Sequence, residues 1–277
     1  MTILKAIIEG TFREAIAKKT LVGFMILSAI LILITFLIFQ NEVVQSGMRE
    51  SQEVGAADMA AGLMNTTVLD VTWSIISVNF FIFTMCLGVF STASFITSLM
   101  EKGTIDLLLS KPVHRWQYLM GRYIGALAVM FIEISFFVLG MWVVISLSVG
   151  KWNMNFPFSI IHMMLGFAGL YSVVMFVSVL SRSSLLAIIA TIGLAFIAML
   201  ATVGRWFAEN FSTADKNVWS YLGDGIYYLF PQVTDMGFNM SYAILGKDIQ
   251  WTSIGLITVL TAFYLSLSVY FFNKKEF

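Results

Sequence analysis

Six long apolar runs alternate with polar stretches along this chain, and this alternation predicts its architecture. The runs cover residues 21–39, 73–99, 123–149, 160–180, 185–203 and 254–272. A helix needs about 20 apolar residues to cross roughly 30 Å of hydrocarbon, and each run approaches or exceeds that length. The pattern therefore predicts an all-α integral membrane protein with six transmembrane helices, in which residues 1–277 form a single transmembrane domain.

Composition agrees with this pattern. Apolar residues make up 59% of the 277 positions and charged residues only 12%, which is far from the average of soluble domains. Cys86 is the only cysteine and falls within the second run, so no intrachain disulfide is possible. An even number of spans places both chain termini on the same side of the membrane.

The basic residues indicate which side that is, because lysine and arginine near the ends of spans are retained in the cytoplasm. The side that holds the termini has 11 of the 16 basic residues. These are Lys5, Arg13, Lys18, Lys19, Lys102, Lys111, Arg115, Arg122, Arg182, Lys274 and Lys275. We therefore predict a multi-pass protein of the plasma membrane, the bacterial inner membrane, with both termini cytoplasmic. The net charge of zero gives no indication of nucleic-acid binding.

The segments outside the six runs have distinct patterns. Residues 1–20 predict an amphipathic helix, which either lies along the inner leaflet or packs on another domain. The outer connection 41–70 is polar, with a patch of alanine, glycine and methionine. The outer connection 204–250 is rich in tryptophan and tyrosine, which favour the headgroup level. We expect it to fold back onto the membrane as re-entrant or short helices that are broken near Pro231.

The sequence lacks the motifs of several catalytic classes. The phosphate-binding string GxxxxGK followed by Ser or Thr does not occur, so the chain is not predicted to be an ATPase of the P-loop kind. His114 and His162 lie on opposite faces in the predicted topology, and there is no HExxH or GxSxG string. We therefore predict a non-catalytic protein that holds no cofactor and no metal of its own.

A short charged connection, residues 100–116, separates the second and third runs. Gly103 allows the chain to turn sharply away from the span, and Thr104 can cap a helix whose first turn contains Asp106. Pro112 disfavours helical geometry at Lys111, which limits this helix to about two turns. Because Leu107, Leu108 and Leu109 cannot all face the membrane, at least one is expected to fill a pocket of a soluble partner. A self-contained loop with local ion pairs is the alternative.

The same connection carries a family resemblance. Its residues Glu101, Gly103-Thr104-Ile105, Leu107-Leu108-Leu109-Ser110, Pro112-Val113, Arg115 and Gly121-Arg122 stand at the spacing of a motif in permease subunits of type-2 ATP-binding-cassette (ABC) exporters, which the chain resembles. The family often has Ser or Thr in place of His114 and Gly-Lys in place of Gly121-Arg122. In that family the segment is a coupling helix that docks on a separate nucleotide-binding subunit.

The resemblance implies the following partners and site. An ATPase subunit, which carries the ATP and Mg, would contact the coupling segment, and a second permease copy would complete the assembly in the lipid bilayer. The implied contact residues are Glu101, Gly103, Thr104, Asp106, Leu107, Leu108, Pro112 and Arg115.

Two polar residues inside the runs are candidates for a translocation path. Glu133 is the only acid within any run, and a charge there costs at least about 2.5 kcal/mol on insertion scales. It either contacts a substrate or a proton, bonds as a neutral carboxyl to a hydroxyl such as Ser172 or Ser178, or lies nearer the headgroups. Asn79, in the second run, is the other candidate, and joining two helices is its alternative role.

Small residues form a stripe along the fifth run. Ala187, Thr191 and Ala195 repeat every four residues, and Ala198 lies close by. Small side chains permit close helix approach. Because the resemblance places spans one and five between the two permease copies, this stripe is the candidate dimer interface. Ordinary packing within one subunit is the alternative.

The sequence therefore predicts a permease subunit of an ATP-driven exporter, energised through residues 101–115. Two other functions stay open at this point. One is a stand-alone secondary transporter or channel that uses Glu133, and the other is a non-transporting membrane scaffold or mechanical transmitter of an ABC assembly. The aromatic outer connection and the apolar interior favour an amphiphilic or lipid-linked substrate over a strongly charged ion.

Overall fold

A computed structural model describes residues 2–42, 46, 68–98, 114–150, 152–211 and 218–274. This part of the chain is helical and contains no strand. The helices are α1 (Thr2–Ala17), α2 (Thr20–Gln40), α3 (Val68–Thr97), α4 (Arg115–Val149), α5 (Ser159–Ser181), α6 (Ser184–Phe211), α7 (Val218–Leu229), α8 (Val233–Ile244) and α9 (Trp251–Lys274). A short 3₁₀ turn, Phe156–Phe158, leads into α5.

Six of these helices have segments that are long and apolar enough to cross a membrane. They are Thr20–Gln40, Ser77–Thr97, Arg115–Ser148, Phe156–Ser181, Ser184–Arg205 and Trp251–Lys274. Each overlaps one of the six apolar runs, so the predicted all-α fold with six spans is confirmed. Hereafter the terminal side is the side of the bundle that holds both chain termini, and the distal side is the opposite one.

The six spans differ strongly in how deeply they are buried. In the span of α5, 67% of the residues in its most apolar window are buried, compared with 11% in α2 and in α6. The central helix α5 packs against α3, α4, α6, α8 and α9. The spans of α2 and α6 therefore lie at the edge and offer long apolar surfaces to lipid or to another protein.

The N-terminal helix α1 packs against α4 of the same chain. Its buried face includes Thr11 and Ala15, which are completely inaccessible. Close approach is possible because α4 presents Gly121 under Ile7 and Gly125 under Thr11. Lys19 then adopts a left-handed conformation with φ 56°, and this breaks α1 from α2. The buried face of this amphipathic helix thus packs on α4 of the same chain, and its place along the inner leaflet stays a prediction.

Filling the α1–α4 contact is expected to destabilise the protein. A Cβ atom at Gly125 would lie 2.7 Å from Cβ of Thr11, so Gly125→Val should cost about 1–3 kcal/mol through overpacking. Thermal unfolding in detergent measures this loss. Gly193→Val is the matched control, because a Cβ at Gly193 has no atom within 4 Å. Equal stability of the two variants would contradict the packing described here.

The distal connection between α6 and α9 contains two short helices, α7 and α8, separated at Pro231. The prediction of short helices broken near Pro231 is thus confirmed. Pro231 packs against Gly169, which lies ten residues and roughly 15 Å into α5. The hydroxyl of Tyr264, within α9, donates a hydrogen bond to the carbonyl of Leu229 at 3.0 Å. The tip of the α7–α8 pair therefore enters the bundle between α5 and α9.

Candidate functional site

The predicted coupling segment lies almost wholly outside the described residues. Seven of its eight predicted contact residues fall there: Glu101, Gly103, Thr104, Asp106, Leu107, Leu108 and Pro112. The eighth, Arg115, is the first residue of α4 and is partly buried. The role of all eight residues in partner binding stays a prediction.

The two helix ends that flank this segment meet at one carboxylate, Glu14 of α1. Ser98 follows α3 directly and donates a hydrogen bond to Glu14 Oε1 at 2.8 Å. Arg122, two turns into α4, forms an ion pair with Glu14 Oε2 through Nη1. Lys18 adds a third contact, with Nζ 2.7 Å from Oε1. We call Glu14, Lys18, Ser98 and Arg122 the Glu14 cluster.

The Glu14 cluster is largely shielded from solvent. The side chains of Glu14 and Arg122 are 17% and 11% exposed. Burial by itself would raise the pKa of the Glu14 carboxyl, but hydrogen bonds from Lys18 and Arg122 and the charge of Arg122 lower it below the ordinary value. Glu14 is therefore ionised at neutral pH and connects α1, α3 and α4 on the terminal side.

Sequence reasoning did not identify Glu14 as a functional candidate, although a signal was present. Glu14 follows Ile7 by seven residues, or two helical turns, so it lies on the apolar face of α1. An acid on that face requires a buried partner. Seven of the eleven basic residues on the terminal side lie beyond residue 19 and were plausible partners by sequence, and only packing selects Arg122 among them.

Glu133 is completely buried in the middle of α4. It is the nineteenth of 35 residues in this helix, and its depth in the membrane stays a prediction. It precedes Gly140 by two turns, and Ile32 of α2 packs over Gly140, so Glu133 faces α2. Neither carboxylate oxygen makes a hydrogen bond to a described residue, and the hydroxyl of Ser172 instead bonds to its own helix. Among the described residues, Glu133 therefore does not form the hydrogen bond to another span that the sequence allowed.

The second path candidate, Asn79, has a different environment. It is exposed on α3, whereas Glu133 is fully inaccessible. The two residues differ in burial, and their role in translocation stays a prediction.

The small-residue stripe of α6 is turned toward the interior of the chain. Ala187 and Thr191 are 0% and 1% exposed, Ala198 is 9% exposed, and Ala195 is partly buried. The opposite face of α6 presents large apolar side chains such as Ile189 and Phe196 to the outside. The stripe packs within the subunit, and its contact with a second copy stays a prediction.

The six helices of spanning length define the class of this protein, which is a multi-pass membrane protein. A family model described as ABC-2 family transporter protein matches residues 5–277, nearly the whole chain. The chain belongs to this family, which confirms the resemblance noted in residues 101–122, and it is a membrane component of an ABC transporter. A comparison with curated proteins finds no match.

Proposed function

We propose that this chain is the permease subunit of an ATP-driven exporter and that a separate nucleotide-binding subunit docks on residues 101–115. The observation that carries the proposal is the Glu14 cluster in a chain of the ABC-2 family. Through Glu14, the flanking positions Ser98 and Arg122 on either side of the docking segment, residues 101–115, are connected to α1, and α1 leads directly into the first span.

This arrangement supports a route for mechanical coupling. ATP and Mg bind to the nucleotide-binding subunits. When the two copies of that subunit close on each other, they move the docking segments of the two permeases. Because Ser98 and Arg122 both contact Glu14, the movement would pass to α1 as well as to α3 and α4. In this orientation the terminal side is cytoplasmic, in agreement with its excess of basic residues.

A second permease copy completes the proposed assembly. The spans of α2 and α6 are buried to only 11% each, which supports the interface that the family resemblance implies for spans one and five. Ile189 and Phe196 on the exposed face of α6 would contact the partner copy. The stripe that includes Ala187 and Thr191 lies on the opposite side of α6 and lets this helix pack close to its own subunit.

Co-purification tests the proposal directly. The chain is expressed with each P-loop ATPase encoded beside it, solubilised, and purified by a tag on the permease. We expect an ATPase subunit to co-elute and its hydrolysis to increase on binding. In ATP-free liposomes the chain alone should give no flux, whereas flux under those conditions would support a secondary transporter instead. Partner-stimulated hydrolysis without flux of any amphiphile would support a mechanical transmitter.

The substitution Glu133→Met tests the predicted role of Glu133 in the translocation path. A buried polar group without a hydrogen bond costs about 1–3 kcal/mol, so Glu133→Met should raise the thermal stability of the chain. If Glu133 takes part in translocation, the same variant should reduce ATP-driven flux at least about tenfold, which corresponds to the loss of about 1.4 kcal/mol of transition-state stabilisation. Both quantities are measured on one reconstituted preparation.

Phe131→Met is the control for this experiment. Phe131 lies on the same helix two residues away but is 53% exposed, so its replacement should leave stability and flux close to the original values. Unchanged flux in Glu133→Met together with higher stability would remove Glu133 from the translocation path.

A further inference from the structure

A polar chamber of about 560 Å³ lies at the distal ends of α6 and α9, next to the α7–α8 pair. Its volume is within the range of small-molecule sites. Arg205 and Asp235 both line it, together with Tyr227 and Ser253. Arg205 ends the spanning part of α6, and Ser253 lies in the first turn of α9. The chamber is therefore at the level of the lipid headgroups, where charged and aromatic side chains are favourable.

Arg205 and Asp235, the charged residues in the described lining of the chamber, are held in place by other side chains. Arg205 lies over the ring of Tyr227, with 4.0 Å from the guanidinium carbon to the ring centroid, and its Nε is 3.2 Å from Asp224 Oδ1. Asp235 is 6% exposed. Both Tyr227 and Ser253 donate a hydrogen bond to its Oδ2. Oδ1 takes part in neither contact and is the oxygen available to a ligand.

An apolar groove of about 200 Å³ adjoins the chamber and runs between α3 and α6. Val203 and Phe238 line both spaces. From Val203 the groove follows α6 to Thr191, which is twelve residues or roughly 18 Å. Half of a 30 Å hydrocarbon layer is about 15 Å, so the groove is about as long as one leaflet is deep. A polar space at headgroup level thus continues into an apolar space of acyl-chain length.

We propose that the chamber and the groove together bind one zwitterionic amphiphile of the phospholipid class. Its ammonium group contacts Asp235, its phosphate contacts Arg205, and an acyl chain occupies the groove. An anionic headgroup fits less well, because the described charged residues here include two carboxylates, Asp235 and the Arg205 partner Asp224, beside one cation. A cationic amphiphile without a phosphate has no group that Arg205 attracts. This inference deepens the proposed function, on which it rests, by naming the class of substrate.

Lipid retention by the purified full-length chain tests the inference. The chain in detergent is incubated with equal amounts of phosphatidylethanolamine, phosphatidylglycerol and an alkyltrimethylammonium amphiphile, and the bound molecules are counted by native mass spectrometry. We expect phosphatidylethanolamine to be retained about tenfold over each of the others, which is the effect of one charge-assisted contact. Asp235→Asn should make the retention of the two phospholipids equal. Asp248→Asn, at an exposed carboxylate on the same side, should change nothing.

A second variant keeps the inference testable if Asp235→Asn does not fold. Arg205→Gln should weaken retention of both phospholipids about tenfold and leave that of the alkyltrimethylammonium amphiphile unchanged. Equal retention of all three amphiphiles by the original chain, or unchanged selectivity in folded variants, would refute the site. The lipid-retention assay contains no ATPase, so a negative result in it bears on the lipid site. A negative result in ATPase co-purification bears on the proposed function instead.

Discussion

Replacing Leu107 by aspartate is expected to reduce binding of the ATPase subunit at least about 30-fold. The family resemblance places Leu107 in the docking segment, where an apolar side chain fills a pocket of the partner. Loss of such an anchor costs about 2 kcal/mol or more, and a buried carboxylate adds a desolvation penalty. Co-elution of the ATPase with the tagged permease measures the effect, and retained membrane insertion shows that the bundle itself is intact.

A matched substitution separates docking from general damage. Met154→Asp introduces the same charge at a residue that is 66% exposed on the distal side, so it should leave ATPase binding unchanged. Gly103→Pro should behave like Leu107→Asp, because it prevents the turn out of the second span. Normal ATPase binding in both docking-segment variants would mean that residues 101–115 do not form the docking site.

Replacing Glu14 by lysine is expected to destabilise the protein more than Gly125→Val does. The substitution removes the partner of a largely buried Arg122 and adds a third cation beside it and Lys18. Breaking such a pair costs about 3–5 kcal/mol. Thermal unfolding in detergent measures the loss. In the reconstituted exporter, we expect weaker coupling between ATP hydrolysis and flux, because α1 no longer links the ends of the docking segment.

The same helix supplies the control. Glu9 forms an ion pair with Arg13 at 2.7 Å, but the side chains of Arg13 and Glu9 are 79% and 56% exposed. Glu9→Lys should therefore change stability by about 1 kcal/mol or less. The double variant Glu14→Lys with Arg122→Glu should recover part of the lost stability, because it restores opposite charges. Equal effects of Glu9→Lys and Glu14→Lys would contradict a special role of the Glu14 cluster.

Acidification provides an independent test of this cluster. Because the folded state lowers the pKa of Glu14, its contribution to stability is complete above the ordinary carboxyl value of 4.5. The contribution is lost progressively as the pH falls below that value and through the lowered pKa of the folded state. The stability difference between the original chain and Glu14→Gln should therefore be constant near neutral pH and shrink only below about pH 4.5.

Some of the candidate sites could be predicted from sequence because they depend on local pattern. The break at Pro231 and the small-residue face of α6 follow from residue type and spacing, and both are present in the structure. The direction of that face could not be predicted. Small residues allow close approach to any helix, and the sequence does not indicate whether the helix that packs on them belongs to the same subunit.

The sequence alone determined the six membrane spans, the all-α class and the family, because run length, apolar composition and a local motif do not depend on neighbours in space. Tertiary structure decided which polar groups meet. It brought Glu14 to Ser98 and Arg122, left Glu133 without a hydrogen bond to any described residue, and placed Arg205 near Asp235 at the end of an apolar groove. The physical reason is that a buried charge is stabilised only by groups that packing brings within a few ångströms, and these lie far apart in the chain.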